Sequence, residues 1–309
     1  MYLDFYNLRD KPFSMYPGVE SVYLGDKHGV ATAMLEYGVL ENPGFTVLTG
    51  DIGTGKTTLL RYVLDRLEGN AVVAEVNCMP SDRSNLISQL CAAFGVDSSN
   101  VGLSEFVTHL RSYLEEQKKR GKMLVLLLDD AQNLDVGDLE NIRLLANLND
   151  ELESALTIVL VGQPELRRLL KHPRLVQFRQ RISVHYHLTP LSREEVSQYV
   201  RFRLEQSGGD VDLFSNEALD AVHEFSGGIP RVINTICELA LVYGYARQIE
   251  KLDAETVATV VKDRNRGGIT LQSSSGISAK GATLVKPAAY RFVSAGKQPF
   301  AIEKTVFWS

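Results

Sequence analysis

The sequence has 309 residues, of which 44% are hydrophobic and 23% are charged, and these globular values exclude a mainly disordered chain, a collagen-like repeat and a disulfide scaffold. The net charge of −5 is unevenly distributed along the chain. Residues 262–309 contain eight basic and two acidic side chains (+6), so residues 1–261 carry a net charge of −11. This negative charge disfavours non-specific electrostatic binding of nucleic acid by residues 1–261. Three distant cysteines and a longest apolar run of six residues predict a cytoplasmic protein without a disulfide framework, a zinc site or a transmembrane segment.

The first 189 residues show strands alternating with helices. Continuous apolar stretches predict buried parallel strands at Phe45–Thr49, Ala71–Asn77, Met123–Asp129 and Leu156–Gly162, and the stretch Ile182–Leu188 alternates apolar and polar residues. Helical spacing is found at Thr57–Leu67, Arg83–Phe94, Ser104–Lys119 and Val136–Asn149. This alternation predicts an α/β fold in which helices flank a parallel sheet.

The region after Pro190 contains helical patterns only. Ser192, Ser215 and Asp253 are helix-start signals, and Pro230 favours the first turn of a further helix. Residues 190–263 therefore predict a small all-helical domain, which we call the lid.

Residues 264–309 predict a basic, low-complexity and mostly disordered tail. From Gly267 onward, 11 of 43 residues are Gly or Ser, and the apolar residues follow no stable period. Two interpretations of the apolar residues at the end of the tail remain open. They have no specific function, or Phe300–Trp308 is a motif that docks on a partner.

A phosphate-binding loop is predicted by the pattern GxxxxGK[ST] between an apolar strand and a helix. Glycines allow backbone N–H groups to surround phosphate oxygens, and the following helix directs its positive end at the same anion. Lys56 is expected to reach the β- and γ-phosphates of ATP, and the Thr57 hydroxyl to bind Mg²⁺. The expected nucleotide contacts are Gly50, Asp51, Ile52, Gly53, Thr54, Gly55, Lys56, Thr57 and Thr58. The alternative is a glycine-rich turn with an incidental lysine.

Two carboxylates, Asp129 and Asp130, follow the buried strand that begins at Met123. Asp129 is expected to complete the Mg²⁺ shell, and Asp130 to polarise the attacking water. The alternative is that the two aspartates cap a turn into Ala131–Asn133.

Several motifs, in this order, resemble the AAA+ ATPases of general secretion pathway protein A, and equally the secretion ATPases encoded beside exosortase systems. They are Phe5-Tyr-x-Leu8-x-x-Lys11-Pro12-Phe13, the phosphate-binding loop, Leu128-Asp-Asp-Ala-Gln-Asn-Leu134, Val161-Gly-Gln-Pro-Glu-Leu166 and Gly227-Gly-Ile-Pro-Arg231. The resemblance covers about residues 1–262. It implies an AAA+ core at residues 28–189, the lid, ATP-dependent homo-oligomers, and an N-terminal segment, residues 1–27, that covers the adenine.

The resemblance also implies roles for single polar residues. Gln163 falls at the sensor position that touches the γ-phosphate, and Arg231 matches the sensor arginine of a Gly-x-Pro-Arg motif. Arg181 matches the arginine finger that reaches a neighbour's nucleotide, and Arg179 is its near rival. Each has a structural alternative: a turn cap for Gln163, a surface helix position for Arg231, and for the other two a solvated basic face shared with Arg167, Arg168, Lys171 and Arg174.

Three functions follow as hypotheses. The first is a Mg²⁺-dependent ATP hydrolase that oligomerises on nucleotide and supports a secretion or envelope-polysaccharide system, cytoplasmic or held at the inner membrane by a protein partner. The second is a DNA-associated regulator similar to transposition ATPases, for which the basic cluster is the support. The third is an ATP-gated scaffold with very slow turnover, because Asp130 stands where the family usually has Glu. The family's general secretion members commonly continue into a membrane span, so we expect the shorter exosortase-locus type or another cytosolic use.

Overall fold

The computed structural model of the protein describes residues 1–15, 22–40, 44–66, 71–78, 86–95, 102–149 and 156–266. Its centre is a five-stranded sheet in which the strand order is β2-β3-β4-β1-β5 and all neighbouring strands are parallel. The strands are β1 (Phe45–Gly50), β2 (Ala71–Asn77), β3 (Met123–Asp129), β4 (Leu156–Gly162) and β5 (Ile182–Leu188). The carboxyl ends of β3, β4 and β1 therefore lie side by side at one edge of the sheet.

Helices cover both faces of this sheet. The helices of the N-terminal part and the core are α1 (Tyr2–Phe5), α2 (Asp26–Leu40), α3 (Lys56–Asp65), α4 (Leu86–Phe94), α5 (Leu103–Lys119), α6 (Val136–Ala146), α7 (Pro164–Leu170) and α8 (Val176–Gln180). Apolar residues of α4 to α8 pack on one face of the sheet, and those of α2 and α3 pack on the other. The three central strands, β1, β3 and β4, are buried on both faces, which explains their continuous apolar sequences, whereas the edge strands β2 and β5 are partly exposed.

The lid contains α9 (Arg193–Gln206), α10 (Asn216–Ser226), α11 (Pro230–Ala246) and α12 (Ala254–Arg266). Ser192 and Ser215 cap the first two of these helices through their side chains, and Pro230 occupies the first turn of α11. The predicted fold, a P-loop core with a parallel sheet and an all-helical lid, is confirmed. Helix α12 continues to Arg266, three residues beyond the predicted end of the lid.

The N-terminal residues are part of the lid core. Tyr6, Leu8 and Phe13 are buried among lid side chains, and the Phe13 ring meets the Phe214 ring edge-on at a centroid distance of 6.1 Å. The Tyr6 hydroxyl donates a hydrogen bond to the Ile249 carbonyl at 2.8 Å. Of the segment expected to cover the adenine, the part up to Phe13 thus packs into the lid.

Helix α2 has no counterpart among the predicted elements. Its buried residues include Ala31, Leu35 and Val39, but Val30 and Met34 on its outer side are exposed and also apolar. Because apolar residues occur around most of the helix, its sequence lacks the one-sided period that predicts a surface helix. The predicted tail at residues 267–309, and the beginning of the helix predicted from Arg83, lie outside the described residues.

Candidate functional site

The loop between β1 and α3 has the backbone that a phosphate site requires. Gly53 and Gly55 adopt φ values of +84° and +95°, a region that favours glycine. The Lys56 ammonium donates hydrogen bonds to the carbonyls of Gly50 and Asp51 at 2.8 and 2.9 Å. Burial lowers the pKa of Lys56, and Asp129, Asp130 and Asp51 oppose that shift. The lysine is thus a partly buried cation at the amino end of α3, where an anion would be stabilised.

The two carboxylates at the end of β3 lie beside this loop. The Thr57 hydroxyl donates to Asp129 Oδ2 at 3.2 Å, and the Asp130 backbone N–H donates to Asp129 Oδ1 at 2.9 Å. A hydroxyl and a carboxylate in contact are oxygen donors of the kind that Mg²⁺ prefers, and Mg²⁺ usually takes few protein ligands because phosphate and water complete its shell. The side chains of Thr57 and Asp129 therefore fit the metal implied by the sequence.

Gln132 links the second carboxylate to the neighbouring strand. Its side-chain amide donates to Asp130 Oδ1 at 3.0 Å, and its side-chain carbonyl accepts from the Gln163 backbone N–H at 2.9 Å. A Cβ on Gly162 would lie 3.0 Å from that carbonyl oxygen, so the glycine leaves room for the link. Neither Asp130 nor Gln163 makes a side-chain capping hydrogen bond to the helix that follows it.

A cleft of about 310 Å³ separates the loop from the lid. Its floor is formed by residues 53–59, and its walls come from two further groups of residues. The N-terminal group is Met15, Val22, Tyr23 and His28, and the lid group is Leu191, Tyr199, Arg203, Pro230, Arg231 and Asn234. Among the predicted loop contacts, Gly50 and Asp51 support Lys56 through their carbonyls, and Ile52 is exposed at the tip.

Arg231 joins the lid to the loop. Its backbone N–H donates to the Gly53 carbonyl at 3.2 Å, and a Cβ on Gly53 would lie only 2.8 Å from the Arg231 Cβ. This close approach requires glycine at position 53 for a second reason besides its positive φ. Arg231, which the sequence motifs assigned to the site, therefore lies at the cleft.

Arg203 is a second lid arginine at the cleft, and the sequence motifs did not single it out. It is buried, and its guanidinium donates to the Tyr199 hydroxyl at 3.0 Å and to the Ser14 carbonyl at 3.1 Å. The Tyr199 hydroxyl in turn donates to Asn234 Oδ1 at 2.7 Å. Tyr199 and Arg203 are four residues apart on α9, but Ser14 and Asn234 come from distant segments, so no contiguous motif in the sequence marks this group.

Arg181 and Arg179 are not brought to this cleft. Arg181 precedes β5, and its carbonyl accepts from the N–H of Phe45, the first residue of β1. It thus lies at the opposite end of the sheet from Gly50, roughly 17 Å away along the strand. Arg179 donates hydrogen bonds to the carbonyls of Leu170 and His172, at 2.8 and 3.0 Å.

The parallel sheet, the phosphate-binding loop and the helical lid have the arrangement of the AAA+ fold. An AAA domain family matches residues 39–170. General secretion pathway protein A of Aeromonas hydrophila is 39% identical over 289 residues, which are 92% of this chain and 53% of that protein. The predicted resemblance to that protein is confirmed, and the chain spans about half the length of the curated relatives that it matches.

Solved structures show the same fold. Cdc6p of Pyrobaculum aerophilum has a TM-score of 0.62 at 20% identity, with 82% of this chain and 70% of that chain covered. The ORC1 protein of Aeropyrum pernix, solved in complex with DNA, has a TM-score of 0.62 at 19% identity, with 84% and 70% covered. Within the described residues, no helix combines the length and the apolar character needed to cross a membrane.

Proposed function

We propose that the protein binds ATP with Mg²⁺ in the cleft between core and lid and hydrolyses it to ADP and phosphate. The observation that carries this proposal is the contact of Thr57 with Asp129 beside the partly buried ammonium of Lys56. This arrangement places a cation, a helix amino end and a metal-binding oxygen pair around one position for a triphosphate.

The chain's own residues have separate tasks in this proposal. Lys56 and the N–H groups of residues 53–57 bind the phosphates, and Asp130 orients the water that attacks the γ-phosphorus. Thr57 and Asp129 would hold Mg²⁺, which when bound neutralises charge on the phosphate oxygens. In this proposal Gln132 holds Asp130 through its hydrogen bond, Gln163 senses the γ-phosphate from the end of β4, and Arg231 senses it from the lid.

We further propose that the active form is a nucleotide-dependent homo-oligomer. The position of Arg181 at the far end of the sheet supports this, because its side chain is too short to reach the cleft of its own chain. A finger supplied by a neighbour couples hydrolysis to assembly. Likeness to General secretion pathway protein A supports a role in a secretion or envelope-polysaccharide system, where the oligomer would act on a protein partner.

A second candidate function is association with DNA. The side chains of Arg167, Arg168, Lys171 and Arg174 are exposed on α7 and the turn after it. Such a cluster could contact phosphate groups of a nucleic acid. A steeply salt-dependent DNA affinity in the presence of ATP would favour this function over the first.

The test of nucleotide binding is the substitution Lys56→Ala. It removes the cation opposite the phosphates, so ATP affinity should fall on the order of 10- to 100-fold and turnover should be lost. Lys171→Ala, an exposed lysine outside the cleft, is the matched control and should behave as wild type. Calorimetric ATP binding and phosphate release measure both effects. Unchanged affinity and rate in Lys56→Ala would refute the assignment of the loop.

A further inference from the structure

The chain passes from β5 of the core into α9 of the lid through a short segment, residues 189–192, which we call the hinge. The carbonyl of Pro190 in this hinge accepts a hydrogen bond from the Lys27 ammonium at 3.1 Å. The same ammonium lies 3.1 Å from Glu195 Oε2, in the first turn of α9. One side chain of the core helix α2 thus contacts both the hinge and the beginning of the lid.

The backbone of Lys27 is itself fixed to the core. Its carbonyl accepts a hydrogen bond from the Tyr186 hydroxyl at 3.0 Å, and Tyr186 belongs to β5, the strand that leads into the hinge. The ring of the next residue, His28, is hydrogen-bonded to the Thr54 backbone in the phosphate-binding loop. The first turn of α2 is therefore held against β5 and the loop, and from this position the Lys27 side chain reaches the hinge.

The ion pair of Lys27 with Glu195 is partly shielded from water. The side chain of Glu195 is 11% exposed, and that of Lys27 is 38% exposed. Burial alone would raise the pKa of the Glu195 carboxyl, but hydrogen bonds from the Ser192 backbone and from Lys27 lower it. The carboxylate is thus charged at pH 7, and its attraction to the ammonium is screened less than in a pair at the surface.

We propose that Lys27 is a positioning residue that holds the hinge and thereby keeps the lid over the nucleotide cleft. Without its ammonium, the Pro190 carbonyl would bind water and Glu195 would retain only its hydrogen bond at the start of α9, so the lid would rotate more freely about the hinge. Tyr199 and Arg231 line the cleft from the lid, so bound nucleotide would then dissociate faster. This last consequence rests on the proposed binding of ATP, whereas the effect on the lid does not.

The first measurement tests the lid in the full chain without nucleotide. Nitroxide labels attached after the substitutions Glu115→Cys in α5 and Glu255→Cys in α12, both at exposed positions, report the distance from core to lid by electron paramagnetic resonance. The three native cysteines are buried, so labelling is selective. The distance distribution should be narrow in wild type and in Lys27→Arg, and broader in Lys27→Met. Lys262→Met, at an exposed lysine of α12, is the matched control and should match wild type.

The second measurement follows the release of ATP and ADP. In Lys27→Met the dissociation rates of both nucleotides should rise about 3- to 10-fold, whereas the single-turnover rate of bound ATP should change less, because the loop and the carboxylates are unchanged. Glu195→Gln should give a smaller rise, because its amide oxygen can still accept the hydrogen bond at the start of α9. The double variant should release nucleotide no faster than Lys27→Met, because the ion pair is already broken.

Each outcome decides a separate point. The inference is overturned if Lys27→Met keeps the distance distribution of wild type or releases nucleotide at the wild-type rate. It is also overturned if Lys27→Arg broadens the distribution as much as Lys27→Met, or if the effects of Lys27→Met and Glu195→Gln add. If wild type binds no nucleotide, the proposed function is refuted, and the distances alone decide the role of Lys27. If Lys27→Met does not fold, as judged by circular dichroism, the distribution of Glu195→Gln decides, and it should be broader than that of wild type.

Discussion

Asp130 combines an unusual backbone with a short side chain. Its φ of +53° lies in the left-handed region, which aspartate tolerates better than most residues that carry a Cβ. The backbone turn and the hydrogen bond from Gln132 hold the carboxylate close to the end of β3. A glutamate would reach about 1.5 Å farther. The residue that suits this turn is thus also the one with the shorter reach toward the cleft.

We therefore predict slow hydrolysis and a long-lived ATP-bound state. A misplacement on the order of 1 Å can cost ~100-fold in rate, so Asp130→Glu should keep or raise the rate. Asp130→Asn should slow turnover further and leave ATP affinity within a few-fold, because Lys56 and Asp129 are unchanged. Single-turnover hydrolysis by wild type and both variants measures this. If Asp130→Asn is as fast as wild type, another residue, such as Asn133 or Gln163, orients the water.

The sequence predicted one side of the site far better than the other. Residues of the phosphate-binding loop and Asp129 occur in contiguous motifs next to strands, and parallel strand ends necessarily meet at one edge. His28 comes from α2, whereas Tyr199 and Arg203 come from the lid helix α9, and their convergence depends on how the lid and the core pack. No local pattern in the sequence encodes that packing.

At the scale of elements, the N-terminal segment contributes to the stability of the lid. Tyr6, Leu8 and Phe13 are each at most 7% exposed and lie in the same apolar cluster as α9, α10, α11 and α12. The lid is small, so the loss of these side chains removes a large part of its apolar contacts. Short domains depend on such contributions because they bury a smaller fraction of their surface.

Phe13→Ala should destabilise the lid by about 3–5 kcal/mol, because it leaves a cavity against Phe214. Phe225→Ala, a partly exposed phenylalanine of α10, is the control and should cost clearly less. Denaturant unfolding of both variants, followed by circular dichroism, compares them. Equal losses would mean that Phe13 is not part of the lid core.

The helices also differed in how well the sequence predicted them. Three of the four lid helices begin after a residue whose side chain accepts a hydrogen bond from the first turn, namely Ser192, Ser215 and Asp253, and α11 begins at Pro230. Helix α2 contains Gly29 and Gly38 and apolar residues on its exposed side, so both propensity and period argue against it. Its contacts with β5 and α3 stabilise it, which is a tertiary effect.

At the scale of the whole molecule, the position of Arg181 predicts hydrolysis that depends on protein concentration. Arg181→Ala should leave nucleotide binding by the single subunit nearly intact and abolish this dependence. Mixing these subunits with Lys56→Ala subunits should restore activity, because each type supplies what the other lacks. A specific activity of wild type that does not change with protein concentration would contradict the oligomer.

Deletion of residues 267–309 should leave the melting temperature and ATP turnover almost unchanged. The deleted residues are rich in Gly and Ser and have no stable apolar period, so they contribute little to a core. They follow directly after α12, which is the last described element. Thermal unfolding and phosphate release of the truncated chain measure the effect, and a large drop in melting temperature would show that Phe300–Trp308 packs on the body.

Because the N-terminal residues pack into the lid, they can be buried only after the lid helices have been synthesised. Tyr2 and its hydrogen-bond partner Glu238 are separated by 236 positions. At a translation rate of about 5–20 residues per second, the first segment waits roughly 10 to 50 s for the helices that bury it. During that interval the aromatic and apolar side chains of residues 2–13 lack the lid partners that bury them, although the strands of the sheet have already been made. Chaperones can therefore bind residues 2–13 until the lid helices that bury them have been made.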